Sequence, residues 1–361
     1  MLTVSEYRDA ALAKISISLA DYVEKKSGLG RTFAANLDTF TEYQLLPRVL
    51  QNINQVDLTT LVLGKRMAAP IIIAPTAWHK MFCEHGEKDT AFAAHSFGIP
   101  YIVSSFSTCD FEEMGNDLSH VWYQLLIYKN KTLMRQYIEK AEQAGCSGIV
   151  LTIDAPLGCS MCKTSSSKTP TLEFPIKQLP LFPKDPAMPF SNLDDYYKQY
   201  VNSAAGWNDI KEVMSYTSLP IILKGILHPL DIQQAIDIGI KAVVISNHGG
   251  RQLDDAISTL DALALLRDDM KKHIDIYLDG GVRTGADVFK ALALGAKAVL
   301  IGRAALYGLI VDGQKGLLSV LSIMSDELRE CMHMAGVATT NNINKNFLYS
   351  KSKATNEFFS Y

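Results

Sequence analysis

The sequence predicts a protein of the α/β class that folds as a (β/α)8 TIM barrel, with an N-terminal helical extension and a long loop after the fourth strand. Two observations support this fold: eight short apolar runs alternate with amphipathic stretches, and a glycine follows several of those stretches. A length of 361 residues suits one such barrel with additions. We therefore expect a single domain over residues 1–361, in which residues 1–65 form helices and a short connection before the first strand.

The eight apolar runs are the predicted strands. Most are continuous rather than alternating, as expected for strands that are covered on both faces. In chain order they are Ile71–Ala74, Tyr101–Val103, Trp122–Leu126, Ile149–Ile153, Ile221–Leu223, Ala242–Ile245, Ile274–Leu278 and Ala298–Ile301.

Helices are predicted between these strands. A glycine just past the last apolar turn is a common helix stop, and a proline suits the first helical turn, as at Pro229. The clearest predicted helices are Lys131–Ala144, Leu230–Ile238 and Ala286–Leu294. An open, doubly wound sheet is the rival fold, but the first strand is not followed by the glycine fingerprint of a dinucleotide site.

One insertion interrupts the strand–helix repeat. Residues 157–206, after the fourth strand, are rich in Ser, Thr, Lys and Pro. Such a loop opens at the C-terminal face of a barrel, so it is a candidate lid. It also contains Cys159 and Cys162, which are either two loop cysteines or a redox pair or half of a metal site. We predict no metal site.

Composition excludes several classes of function. The net charge of −3 is spread along the chain, so we expect neither a nucleic-acid partner nor a membrane surface. The start of the chain is interrupted by charges, unlike a signal peptide, and no uncharged stretch has the length of a membrane span. Six cysteines in a chain of this length do not indicate a disulfide framework. We expect a soluble, cytoplasmic protein.

Polar and titratable residues gather where the predicted strands end, which in a barrel is the face that carries the active site. Asp279-Gly-Gly-Val-Arg283 and Gly302-Arg303 follow the last two strands, where many barrels bind phosphate. Glycines allow close backbone approach to an anion, and arginines supply forked donors. The alternative reading is a pair of tight turns with surface arginines.

Two further strand ends carry candidate chemistry. His248 and Arg251 follow the sixth strand, where a histidine can act as a general base and an arginine can hold a carboxylate. A purely structural hydrogen bond is the alternative for His248. Lys224 ends the fifth strand, and a lysine at the mouth of a barrel is a candidate functional residue. The alternative interpretation is that Lys224 forms a buried ion pair with Asp279.

The motifs S-N-H-G-G-R-Q-L-D (246–254), L-D-G-G-V-R-T-G-A-D-V-F-K-A-L-A-L-G-A (278–296) and I-G-R (301–303) resemble the FMN-dependent 2-hydroxy-acid oxidase and dehydrogenase family. The resemblance extends to I-A-P-T-A (73–77), S-S-F (104–106), T-I-D-A-P (152–156), L-P-I-I-L-K-G (219–225) and the D-Y…F-A-A-N…F pattern around Tyr22. It therefore spans nearly the whole chain.

The resemblance implies an FMN cofactor and oxidation of a 2-hydroxy acid to the 2-oxo product. It implies that His248 is the base, with Asp154 as its partner, and that Tyr22 and Arg251 hold the substrate carboxylate. Lys224 would lie beside the flavin and stabilise negative charge on it. The implied cofactor-binding residues are Ala77, Ser104, Gln124, Thr152, Lys224, Ser246, Asp279, Gly281, Arg283, Gly302 and Arg303.

Two positions depart from the family pattern. The family has a substrate-contacting tyrosine where this chain has Leu126, and a second carboxylate-binding arginine where Ser160 or Met161 stands. A lid residue such as Lys163 or Lys168 could replace the arginine, the enzyme could be weak, or the substrate could be a larger molecule with a masked acid. A non-redox flavin isomerase is a further alternative.

The resemblance leaves the electron acceptor open between oxygen and a soluble carrier. It also implies a homo-oligomer, a tetramer in most members. Oxidase and dehydrogenase activity are not distinguished by Ala77, which stands beside the expected flavin position.

Overall fold

Eight parallel strands close into a barrel, in which each strand pairs with the next along the chain and the last pairs with the first. The computed structural model describes residues 1–157, 178–185, 188, 190 and 192–350. Strands are labelled β1–β12 in chain order. The barrel strands are β4 (Ile71–Ile73), β5 (Tyr101–Ser104), β6 (Val121–Leu126), β7 (Ile149–Thr152), β8 (Ile221–Ile226), β9 (Ala242–Ile245), β10 (Asp275–Leu278) and β11 (Ala298–Ile301).

Helices cover the outside of the barrel and precede it. They are α1 (Val4–Lys14), α2 (Ile17–Val23), α3 (Arg31–Glu42), α4 (Glu87–Phe97), α5 (Phe111–Met114), α6 (Lys131–Gln143), α7 (Leu193–Tyr200), α8 (Trp207–Met214), α9 (Pro229–Asp237), α10 (Thr259–Ala264), α11 (Gly285–Ala293) and α12 (Arg303–Ala335). Helix α12 is interrupted by non-helical backbone at Asp312 and Gly313. No helix in the described part of the chain is long and apolar enough to span a bilayer.

The sequence prediction of the barrel is confirmed. All eight predicted strands are present, and the three clearest helices end within one residue of their predicted ends. The first 65 residues differ from the prediction, because they contain strands β1 (Tyr43–Leu45) and β2 (Thr60–Val62) as well as helices. Strand β2 pairs with β3 (Lys65–Met67), and β1 pairs with β12 (Leu348–Ser350). The β1–β12 pairing joins the N-terminal segment to the last described strand.

Side chains of successive strand residues alternate between two cores. On β4, Ile72 points into the barrel, whereas Ile71 and Ile73 pack towards the helices. Large side chains fill the interior, including Trp122 and Tyr277, whose ring centroids are 6.0 Å apart. Because these side chains fill the barrel interior, the polar side chains of a site can gather only at its C-terminal mouth.

Candidate functional site

A buried ion pair lies at the mouth, between strands β8 and β10. The Lys224 ammonium is 2.9 Å from Asp279 Oδ2 and donates to the Ser246 hydroxyl at 2.8 Å. Burial opposes the charge on Lys224, but the carboxylates of Asp279 and Asp154 more than offset it, so the pKa of Lys224 is raised. The ion pair considered from the sequence is therefore present. It holds the positively charged ammonium of Lys224 in a fixed position at the mouth.

A second pair is formed by His248 and Asp154. Nδ1 of His248 is 3.1 Å from Asp154 Oδ1, and the histidine side chain is 32% exposed whereas the aspartate is 11% exposed. Burial opposes the Asp154 charge, but His248 and Lys224 outweigh it and lower the pKa of the carboxyl. With Nδ1–H directed at this carboxylate, Nε2 is left as the proton acceptor. This arrangement suits a general base.

The backbone at His248 is strained. His248 has a φ of +59°, a left-handed conformation that is uncommon for residues other than glycine, and the two following glycines also have positive φ. The Ser246 hydroxyl accepts a hydrogen bond from the His248 N–H at 3.1 Å. A Cβ at Gly250 would lie 2.7 Å from the backbone nitrogen of Phe33. The double-glycine motif is thus required both by the turn and by the close approach of helix α3.

Two buried amides join the N-terminal segment to this turn. Asn36 of α3 and Asn247 exchange two hydrogen bonds of 2.8 Å each, and Asn247 also accepts from the Gly250 N–H at 3.2 Å. A Cβ at Gly281 would lie 2.0 Å from the Asn36 carbonyl oxygen, so α3 also explains that glycine. Sequence reasoning did not assign a role to either asparagine, although both occur within the motifs that carry the family resemblance.

The side chain of Asp254 anchors the start of helix α3. Its carboxylate accepts hydrogen bonds from the backbone N–H groups of Leu29, Gly30 and Thr32 at 2.7–3.1 Å. These bonds satisfy donors at a helix N-terminus that has no side-chain cap of its own. The last residue of the H-G-G-R-Q-L-D motif is therefore a structural anchor for the N-terminal segment.

Three arginines converge on one side of the mouth. Burial, together with the nearby charges of Arg251 and Arg283, lowers the pKa of Arg303 to about 9. Arg303 is held by the carbonyls of Val23, Lys25 and Gly249 at 2.8–3.0 Å. Such a concentration of like charge in a partly buried place favours an anion.

A row of polar side chains crosses strands β5 to β8. Ser104 is in register with Gln124, and Thr152 is in register with Lys224. Gln124 Oε1 accepts from the Ser104 hydroxyl and from the Ser105 N–H, each at 3.3 Å. All of these residues are buried, and Ala77 lies half-buried after β4.

The predicted carboxylate-binding residues lie together. The Arg251 guanidinium carbon is 5.2 Å from the centroid of the Tyr22 ring, and Arg251 donates to the Tyr22 carbonyl at 3.0 Å. The Tyr22 ring is 5.3 Å from Trp78, which in turn packs edge-on against Phe106 at 6.0 Å. Neither Trp78 nor Phe106 was assigned a role from the sequence, and together with Tyr22 they form an aromatic wall.

The residues present fit a bound flavin mononucleotide. The arginine cluster suits its phosphate, and the polar row suits the hydrogen-bonding edge of its ring. Asp279 Oδ1 is buried and has no hydrogen-bond partner among the described residues, as expected of an acceptor that faces a ligand hydroxyl.

Every predicted site residue lies at or beside the mouth. Leu126, at the position of the absent tyrosine, is buried at the end of β6. Part of the candidate lid, with Ser160, Met161, Cys159, Cys162, Lys163 and Lys168, lies outside the described residues.

The chain resembles known proteins along nearly its full length. A family model described as FMN-dependent dehydrogenase matches residues 11–350. Human 2-hydroxyacid oxidase 2 is 34% identical over 350 residues, which are 96% of this chain and 98% of that protein. L-lactate oxidase from Nostoc sp. is 37% identical over 360 residues, covering 96% and 98% of the two chains.

Solved structures are similar over the same span. Mandelate oxidase has a TM-score of 0.85 at 29% identity, covering 97% of this chain and 98% of that one. A flavocytochrome b2 variant with pyruvate bound has a TM-score of 0.85 at 26% identity, covering 100% of this chain and 90% of that one.

Proposed function

The chain belongs to the FMN-dependent dehydrogenase family and is an FMN-dependent oxidoreductase of the CH–OH group, and from this premise we propose the role of each residue at the mouth. The substrate is a 2-hydroxy acid, which is oxidised to the 2-oxo acid. The observation that carries this proposal is the His248–Asp154 pair, a partly exposed base with a buried carboxylate behind it, beside Arg251.

His248 takes a proton from the substrate through Nε2. Asp154 orients the ring through Nδ1 and stabilises the imidazolium that forms, since a buried carboxylate favours the charged histidine. Arg251 and Tyr22 hold the substrate carboxylate. The aromatic wall and Leu126 support a substrate with an apolar substituent next to the hydroxyl-bearing carbon.

When bound, FMN accepts the two electrons released from the substrate C–H bond. Arg283 and Arg303, with the backbone of Gly281 and Gly302, would hold its phosphate and ribityl chain, and Asp279 would accept a hydrogen bond from a ribityl hydroxyl. Ser104, Gln124, Thr152 and Ala77 would line the ring, and Ser246 orients the ammonium of Lys224. The fixed charge of Lys224 favours negative charge at the edge of the ring. The places of these residues at or beside the strand ends support the proposed roles.

The electrons then pass to oxygen or to a soluble carrier. We further propose a cytoplasmic location, which the free thiols of Cys83, Cys109, Cys146 and Cys331 support. We also propose a homotetramer; the exposed apolar side chains of Leu46, Val49, Leu50 and Met334 support self-association. Light scattering on a size-exclusion column measures the assembly, and cell fractionation measures the location.

The test is an anaerobic absorbance titration of the FMN-loaded protein with glycolate, lactate, mandelate and hydroxyacyl amides. The proposal predicts that at least one 2-hydroxy acid bleaches the oxidised flavin band, with one 2-oxo acid formed per flavin reduced. Bleaching by the amides alone would support a masked-acid substrate. Failure of every compound to bleach the band would contradict the proposal and favour a non-redox role.

A further inference from the structure

Two of the three arginines at the mouth are held by the same two carbonyl groups. Arg303 donates through Nε to the Val23 carbonyl at 3.0 Å and through Nη2 to the Lys25 carbonyl at 2.8 Å. Arg251 donates through Nη1 to these carbonyls at 3.3 and 3.4 Å. A displacement of this short segment therefore changes the position of both guanidinium groups.

Glu24 lies between these two carbonyl-bearing residues, and its side chain is anchored on both sides. Its Oε1 accepts a hydrogen bond from the Tyr307 hydroxyl at 2.6 Å, and its Oε2 pairs with Arg8 at 3.2 Å. Burial opposes the Glu24 charge, but the Tyr307 and Arg8 contacts outweigh it and lower the pKa of the carboxyl. The anchor is therefore ionised at neutral pH, and it ties the segment to α1 and α12.

We infer that Glu24 and Tyr307 are positioning residues that fix Arg303 and Arg251 together, so that flavin retention and carboxylate binding depend on one shared contact. The carboxylate half of this inference rests on the role proposed above for Arg251. Tyr307 is almost completely buried and sits one helical turn beyond Arg303 on α12. Its hydroxyl bond thus fixes the spacing between the start of α12 and the segment that carries the carbonyls.

Tyr307→Phe is the direct test, since it removes one hydroxyl and keeps the ring. Two dissociation constants are measured: that of FMN, by the fluorescence of the released flavin, and that of oxalate, by its perturbation of the absorbance of the FMN-loaded protein. A hydrogen bond to a charged group contributes about 1.5–3 kcal/mol, so both constants should rise about tenfold or more, while kcat at saturating substrate stays near the wild-type value.

Glu24→Gln is the second variant, because its amide oxygen can still accept from Tyr307 while the attraction to Arg8 is lost. It should raise both dissociation constants by less than Tyr307→Phe does. Tyr216→Phe is the matched control, since Tyr216 donates to Glu212 at 2.5 Å on helix α8, away from the mouth. It should change neither constant.

A rise in the FMN constant without a rise in the oxalate constant would overturn the shared-contact inference, as would no change in either constant. Equal effects from Tyr216→Phe would show general loosening instead, and would also overturn it. If the wild-type protein does not respond to oxalate, the proposed carboxylate role of Arg251 fails and the coupling fails with it. The FMN constants then decide alone whether Glu24 and Tyr307 position Arg303.

Discussion

The two carboxylate–cation pairs at the mouth differ in exposure more than in geometry. Lys224 and Asp279 are 4% and 10% exposed at a separation of 2.9 Å, whereas His248 and Asp154 are 32% and 11% exposed at 3.1 Å. A fully buried pair keeps its charges fixed because neither partner can reach water. The histidine instead presents one ring nitrogen outward, so it can exchange a proton with a ligand.

This difference separates two tasks that a flavin oxidation requires. One positive charge must stay in place, and one group must change its protonation state during each turnover. The single carboxylate of Asp154 connects the tasks, because its charge acts on both His248 and Lys224. Substitutions at the two pairs should therefore affect different measurable properties.

The largest expected effect is on stability, from Lys224→Met. Removal of one partner from a buried pair leaves Asp279 uncompensated, which should lower the free energy of unfolding by about 3–5 kcal/mol. Flavin binding should weaken as well. The control is Lys297→Met, which removes the more exposed ion pair with Asp275 and should lower the free energy of unfolding by about 0–1 kcal/mol. Denaturant unfolding measures both, and equal losses would contradict the distinction between the pairs.

Asp154→Asn should slow flavin reduction by about tenfold to a hundredfold, since a charge-assisted hydrogen bond contributes about 1.5–3 kcal/mol. The substitution should also change how the free energy of unfolding depends on pH in the acidic range. Because the folded-state pKa of Asp154 is lowered, its contribution is present above the unfolded value of about 3.9 and is lost as the pH falls through the folded pKa. In Asp154→Asn, the free energy of unfolding should therefore fall less than in the wild type as the pH is lowered. The same pH dependence in both proteins would count against the prediction.

Much of this arrangement could be predicted from the sequence, because strand order determines which residues share the mouth. Lys224 lies near the end of β8, His248 and Asp279 follow β9 and β10, and the carboxyl ends of parallel strands meet at one face. The pairing of β1 with β12 was not predictable, since each has three residues and they are far apart in the sequence. The Glu24–Tyr307 contact spans a sequence separation of 283, and no local pattern indicates it.

Arg283→Ala should act on the cofactor and leave both pairs intact. Loss of one guanidinium from the arginine cluster should raise the FMN dissociation constant by about tenfold to a hundredfold. The structure supports this expectation, since Arg283 is one of the charges that lower the Arg303 pKa. Equilibrium dialysis against FMN is the measurement, and full retention of FMN at low concentration would remove Arg283 from the phosphate site.

The smallest expected effect is that of Leu126→Tyr, which adds the hydroxyl found in related enzymes. A neutral hydrogen bond contributes about 0.5–1.5 kcal/mol, so the KM for a small 2-hydroxy acid should fall by about twofold to tenfold. Leu126 is buried, and the larger ring should cost about 1–3 kcal/mol of stability. Steady-state kinetics well below the melting temperature measure the gain, and an unchanged KM would show that the hydroxyl does not reach the substrate.

We propose that His248 is the proton acceptor while Lys224 provides the fixed charge. Rapid mixing of anaerobic FMN-loaded His248→Gln with the best 2-hydroxy acid tests it most directly, beside the exposed-site control His273→Gln. His248→Gln should keep its FMN and reduce it about 10²–10⁴-fold more slowly than wild type, while the control should reduce it at the wild-type rate. Flavin reduction in His248→Gln at the wild-type rate would rule out His248 as the proton acceptor.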